Sequence, residues 1–224
     1  MTETGEAARP PAELDIDPQS WLDTIRSRQR ELSMAAIVLV VAVAAVWAWR
    51  SSARQKEANA ERALNQAANS YYSGNKQLAR TDLEKMVQRF SGTPAGVQGA
   101  MLLAQIHYES GQYDQGRTGL EAARSGAGSQ AFASSIEALI AAGYADQKKY
   151  DDAARHYLDG ANKARFASDR DLLRAEGARM LTLAGKPTEA RKIWEEIVTR
   201  LDSPAFGEAK IRLGELASSA GAPK

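Results

Sequence analysis

Sliding residues 50–224 of this chain on themselves by 37 positions brings Gly74, Gly111, Lys148 and Gly185 into one column, each between two stretches with helical patterning. A period of this length marks a repeat array, in which each unit is one supersecondary element that buries its apolar face only against its neighbours. Two further columns fall into register: Ala79, Gly116, Ala153 and Ala190 five positions after the turn, and Ala67, Ala104, Ala141 and Ala178 seven positions before it. All eight are Ala or Gly, because two helices joined by a tight turn approach closely only where the facing side chains are small. Leu83, Leu120, Tyr157 and Trp194 stand four positions beyond the first of these columns, where a bulky side chain fills the space between hairpins. Glycine at a turn tolerates a left-handed backbone, so Lys148 breaks the column and puts the geometry of the third turn in doubt.

Between the turns the segments are rich in helix formers and free of proline, whereas Pro94, Pro187 and Pro204 stand at apparent helix starts. The pattern predicts one helix from about Pro18 to Tyr72. Hairpin helices follow near Lys76 to Phe90, Ala95 to Glu109, Asp114 to Arg124, Gln130 to Asp146, Asp151 to Arg165, Asp169 to Ala184, Pro187 to Arg200 and Ala205 to Ser219. No strand is needed. The expected fold is all-α: an N-terminal single transmembrane helix, then an α-solenoid of about four helical hairpins plus a capping helix. By residue, 1–31 form a tail with a short juxtamembrane helix, 32–49 the span and 50–59 a helical connector. Residues 60–207 form four 37-residue units, and 208–224 the capping helix and tail.

The span is the run from Leu32 to Trp49, LSMAAIVLVVAVAAVWAW, which carries no charge and only Ser33 as a polar side chain. As a helix it is roughly 27 Å long, close to the thickness of a hydrocarbon core. A cleaved signal peptide is the competing reading, with small residues at Val43-Ala44-Ala45. The length of the run and the 31 residues before it favour an uncleaved anchor. Trp47 and Trp49 suit an interfacial belt. Charge does not orient the span, since Arg26, Arg28 and Arg30 precede it and Arg50, Arg54 and Lys56 follow it. Before it, Asp17-Pro18 reads as an N-cap and first turn, with Trp21, Leu22 and Ile25 as an apolar edge.

His107-Tyr-Glu-Ser-Gly111-Gln-Tyr113 with Gly116 and Leu120, then Tyr144 with Tyr150-Asp-Asp-Ala153 and Tyr157, resembles the tetratricopeptide repeat, at a period longer than its usual 34 or so residues. A tail, one span and such an array ending in Gly185-Lys-Pro-Thr-Glu-Ala190-Arg-Lys-Ile-Trp194-Glu further resembles the YfgM-like family of ancillary subunits of the SecYEG translocon. That resemblance implies a bacterial inner-membrane protein with its N-terminus in the cytoplasm and its repeats outside it. It also implies partners among the translocon, chaperones and emerging chains. The repeat family's clamp for a C-terminal carboxylate needs Lys and Asn where this chain has Leu64 and Ala68, so that binding mode is not carried over.

Chemistry of other kinds finds little support. With 29 Lys plus Arg against 28 Asp plus Glu and a net charge of +1, the chain is no dedicated polyanion binder, and nucleic acid is not an expected partner. The absence of cysteine removes disulfides and thiolate metal sites. His107 and His156, the only histidines, have no metal-ligand spacing around them and read as polar helix residues. Gly126-Ala-Gly128-Ser-Gln-Ala131 mimics a dinucleotide fingerprint but follows a helix rather than a strand, so a flexible loop is the expectation. Asp151-Asp152 reads as a helix cap opposing the dipole. No catalytic motif, cofactor, metal or small-molecule substrate is expected, and the chain is read as no enzyme.

What remains is recognition by surface. The inner wall of the solenoid is formed by the first helix of each unit. In the repeat register it includes Leu64, Ala68, Tyr71, Met101, Gln105, Tyr108, Ala138, Ala142, Ala175 and Arg179. Leu64, Tyr71, Met101, Gln105, Tyr108 and Arg179 are the candidate partner-binding residues, and packing between hairpins is the competing role for the tyrosines and Met101. The functional expectation is a membrane-anchored protein-protein interaction scaffold linking the translocation machinery to chaperones or emerging chains. The alternative is a structural accessory subunit of a larger membrane complex, respiratory or photosynthetic, that packs through its transmembrane helix.

Overall fold

The helix-favouring stretches fold as helices interrupted at the turn column. The computed structural model describes residues 29–220. Among them the helices are α1 Gln29–Tyr72, α2 Lys76–Arg89, α3 Pro94–Glu109, α4 Tyr113–Arg124, α5 Ala133–Asp146, α6 Tyr150–Lys163, α7 Ala167–Leu183, α8 Pro187–Ile197 and α9 Phe206–Ala220, with no strand. The expected start near Pro18, the juxtamembrane helix and the N-terminal tail lie outside the described residues. Inside them several boundaries shift by one to three residues, the end of α8 moving from Arg200 to Ile197 and the start of α7 from Asp169 to Ala167, and two differences have a backbone cause. The expected helix 130–146 divides into a 3-10 turn, Gln130–Phe132, and α5, because Phe132 sits at φ −109° and ψ 4°, off the helical basin. Helix α6 ends at Lys163 because Ala164 turns extended, with ψ 131°.

The chain divides into two compact units between Ser52 and Ala53. In the first, Val38, Val40 and Trp47 are all exposed to their surroundings. Among the described residues one helix, over Ile37–Tyr72, is long and apolar enough to cross a membrane, and its apolar stretch is 0% buried within the protein. The second unit, from Ala53 on, holds the hairpins, each helix from α2 to α9 packing on the next in the chain and α3 also reaching α5.

The four hairpin turns are copies of one another. Asn75, Gln112, Lys149 and Lys186 each donate an N–H to the carbonyl five residues back, on Ser70, His107, Tyr144 and Leu181, at 2.8 to 2.9 Å. The residues before them donate three back, to Tyr71, Tyr108, Ala145 and Thr182. This pair of bonds satisfies the last carbonyls of the first helix and requires a left-handed residue between them. Gly74, Gly111 and Gly185 supply it at φ 88°, 72° and 76°, and Lys148 takes the same conformation at φ 59°. The third turn therefore keeps the common geometry, and the lysine bears a steric cost of about 1–2 kcal/mol that glycine avoids. Asp151 and Asp152 stand in the first turn of α6, where they oppose its dipole as expected, but neither caps it. Lys149 is the N-cap of α6 without a side-chain bond, and the two aspartates instead pair with Lys186 and Arg155, each at 2.8 Å.

All eight small-column residues are buried, from Ala67 to Ala190, and Leu83, Leu120 and Trp194 fill the spaces beside them with 0% exposure. A leucine at Ala153 has no room. Ala153→Leu should lower the stability of the repeat domain by about 1–3 kcal/mol, read as a fall in melting temperature. Ala122→Leu on the exposed face of α4 should move it little. Ala209 is no such control, because α9 buries it completely against Trp194 and Ile197.

The glycine-rich segment is a close approach of backbones rather than a flexible loop. A Cβ at Gly128 would stand 2.6 Å from the Thr93 carbonyl carbon, and one at Gly126 would stand 3.3 Å from the Gly92 Cα. It braces the turn before α3, where Thr93 caps the helix by accepting from the Gly96 N–H at 3.0 Å.

Candidate functional site

The first helices of the second, third and fourth hairpins, α3, α5 and α7, line one groove of about 570 Å³. Met101 and Gln105 enter it from α3, Ala138 and Leu139 from α5, and Leu172 and Leu173 from α7. Phe166, just before α7, stands at its edge with 62% of its surface exposed, and Leu172 keeps 47%. These side chains lie together because α-helical period places one residue in three or four of each first helix on the same face. Lys163 closes one side. Arg165, whose guanidinium stacks 5.9 Å above the Phe166 ring, stands beside it without an ion-pair partner among the described residues.

The other candidate residues are engaged elsewhere. Leu64 and Tyr71 pack on the first core cluster around Ala67, Leu83 and Met86. The Tyr71 hydroxyl donates to Glu109, which also takes a 2.6 Å bond from Lys76. The Glu109 hydrogen bond raises the Tyr71 pKa, and the bonds from Lys76 and Tyr71 lower that of Glu109. Tyr108 is wedged between α3, α4 and α5. A Cβ on Gly116 or Gly143 would come within 2.4 or 2.6 Å of its ring, so both glycines exist to admit it. Its hydroxyl is buried without a partner, and burial pushes its pKa up. Ala175 is completely buried in the last core cluster, and Ala68 and Ala142 are half-buried. Arg179 is clamped by Glu176 and by a two-pronged bond to Glu208 of α9, with its Nε at 2.7 Å, and the Glu208 bond raises its pKa. Its guanidinium fastens the capping helix to α7.

The repeat pattern gave no notice of Glu137, a fully buried carboxylate behind the groove. Its Oε1 accepts from Lys163 at 2.6 Å and from Arg124 at 3.1 Å, and its Oε2 meets the His156 Nδ1 at 2.8 Å. Burial alone would raise its pKa, but the bonds from Lys163, His156 and Arg124 outweigh it and hold the carboxyl at about 2. The Tyr144 ring stacks on His156 at 5.3 Å, and the Arg117 guanidinium lies 4.2 Å from the other ring partner's centre, that of Tyr144. One carboxylate thus ties α4, α5 and α6 together and fixes the lysine that borders the groove. Its trace in the sequence is a lone charge inside the apolar stretch from Phe132 to Ala145.

The fold has solved counterparts. It superimposes on the nearly identical TPR-like repeats of a Podosopora anserina protein described as a kinesin light chain, at TM-score 0.57 and 18% identity, covering 74% of this chain and 88% of that one. It also superimposes on pilF of Pseudomonas aeruginosa at TM-score 0.56 and 12% identity, covering 74% and 71%. At such identities the likeness is one of fold. No curated protein matches the chain. The sequence profile of the tetratricopeptide repeat-like domain matches residues 27–218, most of the chain and the whole of α1 with it. By that match and by its four identical hairpin turns, the chain belongs to the tetratricopeptide repeat-like domain family.

Proposed function

We propose that this chain is a membrane-tethered scaffold that holds protein partners in the groove between α3, α5 and α7. The observation that carries the reading is the groove itself, an apolar floor shared by three hairpins with Phe166 and Leu172 left exposed on it. Contiguous exposed apolar surface of this kind is where proteins meet other proteins. The tether is α1, whose valines and tryptophans are exposed around its circumference, a pattern suited to lipid rather than water. The Gly185 to Glu195 segment and the order of tail, span and repeats support a finer role as an ancillary factor at the SecYEG translocon, presenting chaperones or emerging chains. In that reading the N-terminus is cytoplasmic, the repeats lie outside the cytoplasm, and the chain performs no catalysis.

Mild-detergent pull-down from bacterial membranes tests it. The wild-type chain should recover translocon subunits and chaperones. Phe166→Glu with Leu172→Glu should reduce the chaperone fraction at least tenfold while melting temperature stays within a degree or two, since both side chains are already exposed. Undiminished recovery by that variant would move the binding role to α1, and stoichiometric recovery of one respiratory or photosynthetic complex would favour the brace reading. Orientation has its own test, helped by the lack of cysteine. A cysteine at exposed Ala217 should react with a membrane-impermeant thiol reagent while the inner membrane is intact. Labelling only after that membrane is broken would reverse the topology.

A further inference from the structure

We propose that the groove between α3, α5 and α7 selects an extended apolar segment carrying one acidic side chain, with Arg165 as the residue that receives the carboxylate. The selectivity rests on the groove being the binding surface proposed above. Its floor is apolar from Met101 on α3 through Ala138 and Leu139 to Leu173, and its volume of about 570 Å³ falls within the roughly 300–1,000 Å³ of ligand sites.

Charge on the lining is unbalanced. Lys163 is engaged by Glu137 and Asp159, each at 2.6 Å. Asp169 stands in the first turn of α7, where the helix N-terminus favours its charge, and takes a 3.4 Å hydrogen bond from Ser168. Arg165 is exposed and has no carboxylate among the described residues. Its guanidinium lies 5.9 Å from the centre of the exposed Phe166 ring, a contact that holds the cation beside hydrocarbon. A segment laid on Phe166 and Leu172 excludes water from around that guanidinium, so an acid next to its apolar side chains gains more than it would in open solvent, and a base is repelled. The neutral polar groups favour extended backbone. Gln105 on α3 and Gln130 before α5 are exposed with side-chain amides unbonded among the described residues, whereas the Ser134 hydroxyl is engaged by the Gly160 carbonyl at 2.8 Å. Each amide offers a donor and an acceptor, the pair that a main-chain peptide group matches. A helix has used its own N–H and C=O groups internally, and an extended segment brings them free.

The test is calorimetric titration of the full chain in lipid nanodiscs, with empty nanodiscs as the blank. The probe is the peptide N-acetyl-SLFDLS-amide, compared with the same peptide carrying Asn or Lys in place of its Asp. The acidic peptide should bind with a Kd on the order of 0.1 mM, and the Asn peptide about five- to tenfold more weakly. Arg165→Ala should bring the two to equal affinity without moving the melting temperature, because Arg165 is exposed and holds no carboxylate of the chain. Arg165→Glu should reverse the order so that the Lys peptide binds best. Equal affinity for the acidic and Asn peptides in the wild-type chain, or a preference that survives both Arg165 variants, would overturn the assignment while leaving the groove a binding surface, provided Phe166→Glu with Leu172→Glu still abolishes binding. Failure of all three peptides would remove the groove reading and this inference with it. A tighter grip on N-acetyl-SLFLS with a free C-terminus than on the acidic peptide would give the site to a chain terminus instead. Self-association in sedimentation that the Phe166→Glu, Leu172→Glu variant dissolves, with no peptide bound, would give it to a second copy of the chain.

Discussion

Glu137→Gln should cost the repeat domain on the order of 3 kcal/mol at neutral pH, and most of that difference should be gone by pH 2. The cost follows from a carboxyl held at about 2 when folded against an ordinary value of 4.5, with each unit of difference worth about 1.4 kcal/mol. The sign is that of a depressed carboxylate. The stabilisation is complete above the unfolded pKa, falls as pH drops from about 4 towards 2, and nearly vanishes once the folded carboxyl is itself protonated. Breaking one member of a buried ionic cluster is costly because its partners keep their desolvation without their attraction. Here Lys163 and Arg124 retain partial contact with water, which places the expected cost at the lower end for such a loss. Urea midpoints across pH 2 to 7 would measure it. A gap between variant and wild type that stays constant with pH would show that shape rather than ionisation carries the effect.

Tyr108→Ala should remove about 3–5 kcal/mol, the cost of emptying a ring-sized space that Gly116 and Gly143 have been left bare to create. Tyr108→Phe should be neutral or raise the melting temperature, because the deleted hydroxyl is buried without a partner and contributes only its desolvation penalty. This pair of results distinguishes packing from contact. A binding residue on an open wall would lose its partner on truncation and leave the fold alone, whereas here loss of partner should accompany loss of structure. Changing Arg179 as well would release Glu208 and loosen α9, so the double variant should melt lower still. A stably folded Tyr108→Ala chain that has lost its partners would return Tyr108 to the groove.

The array was legible in the sequence because its physics is local and repeated. A left-handed turn wants glycine, a helix crossing wants a small side chain, and both demands recur every 37 residues with the hairpin, so Gly74, Gly111 and Gly185 and the eight Ala or Gly positions mark it directly. Lys148 shows the limit of reading residue types. The turn is held by backbone bonds to Tyr144 and Ala145 that any residue makes, and the fold imposes φ 59° on a lysine regardless. The Gly126 to Gly128 segment misled for a related reason. Glycine meets a need for freedom and a need for close approach with the same letter, and only the distance to Thr93 separates them.

The candidate wall was legible as a register but not as a surface. Periodicity places Tyr71, Met101, Gln105, Tyr108 and Arg179 on the first helices of their hairpins, and it carries no information about what stands opposite. Met101 and Gln105 face the groove with Ala138, while Tyr108 is taken up by two glycines and Arg179 by a carboxylate 29 residues away. Glu137 is the same problem seen from the other side. Its three partners lie 13, 19 and 26 residues distant on two other helices, beyond the reach of any helical spacing. The sequence by itself determined the helices, their turns, the crossing points and the apolar helix at the N-terminal side, since each depends on residues within one or two turns of one another. Tertiary structure alone decided which polar and aromatic side chains are consumed inside and which are left for a partner, because that depends on the distances between helices that only packing sets.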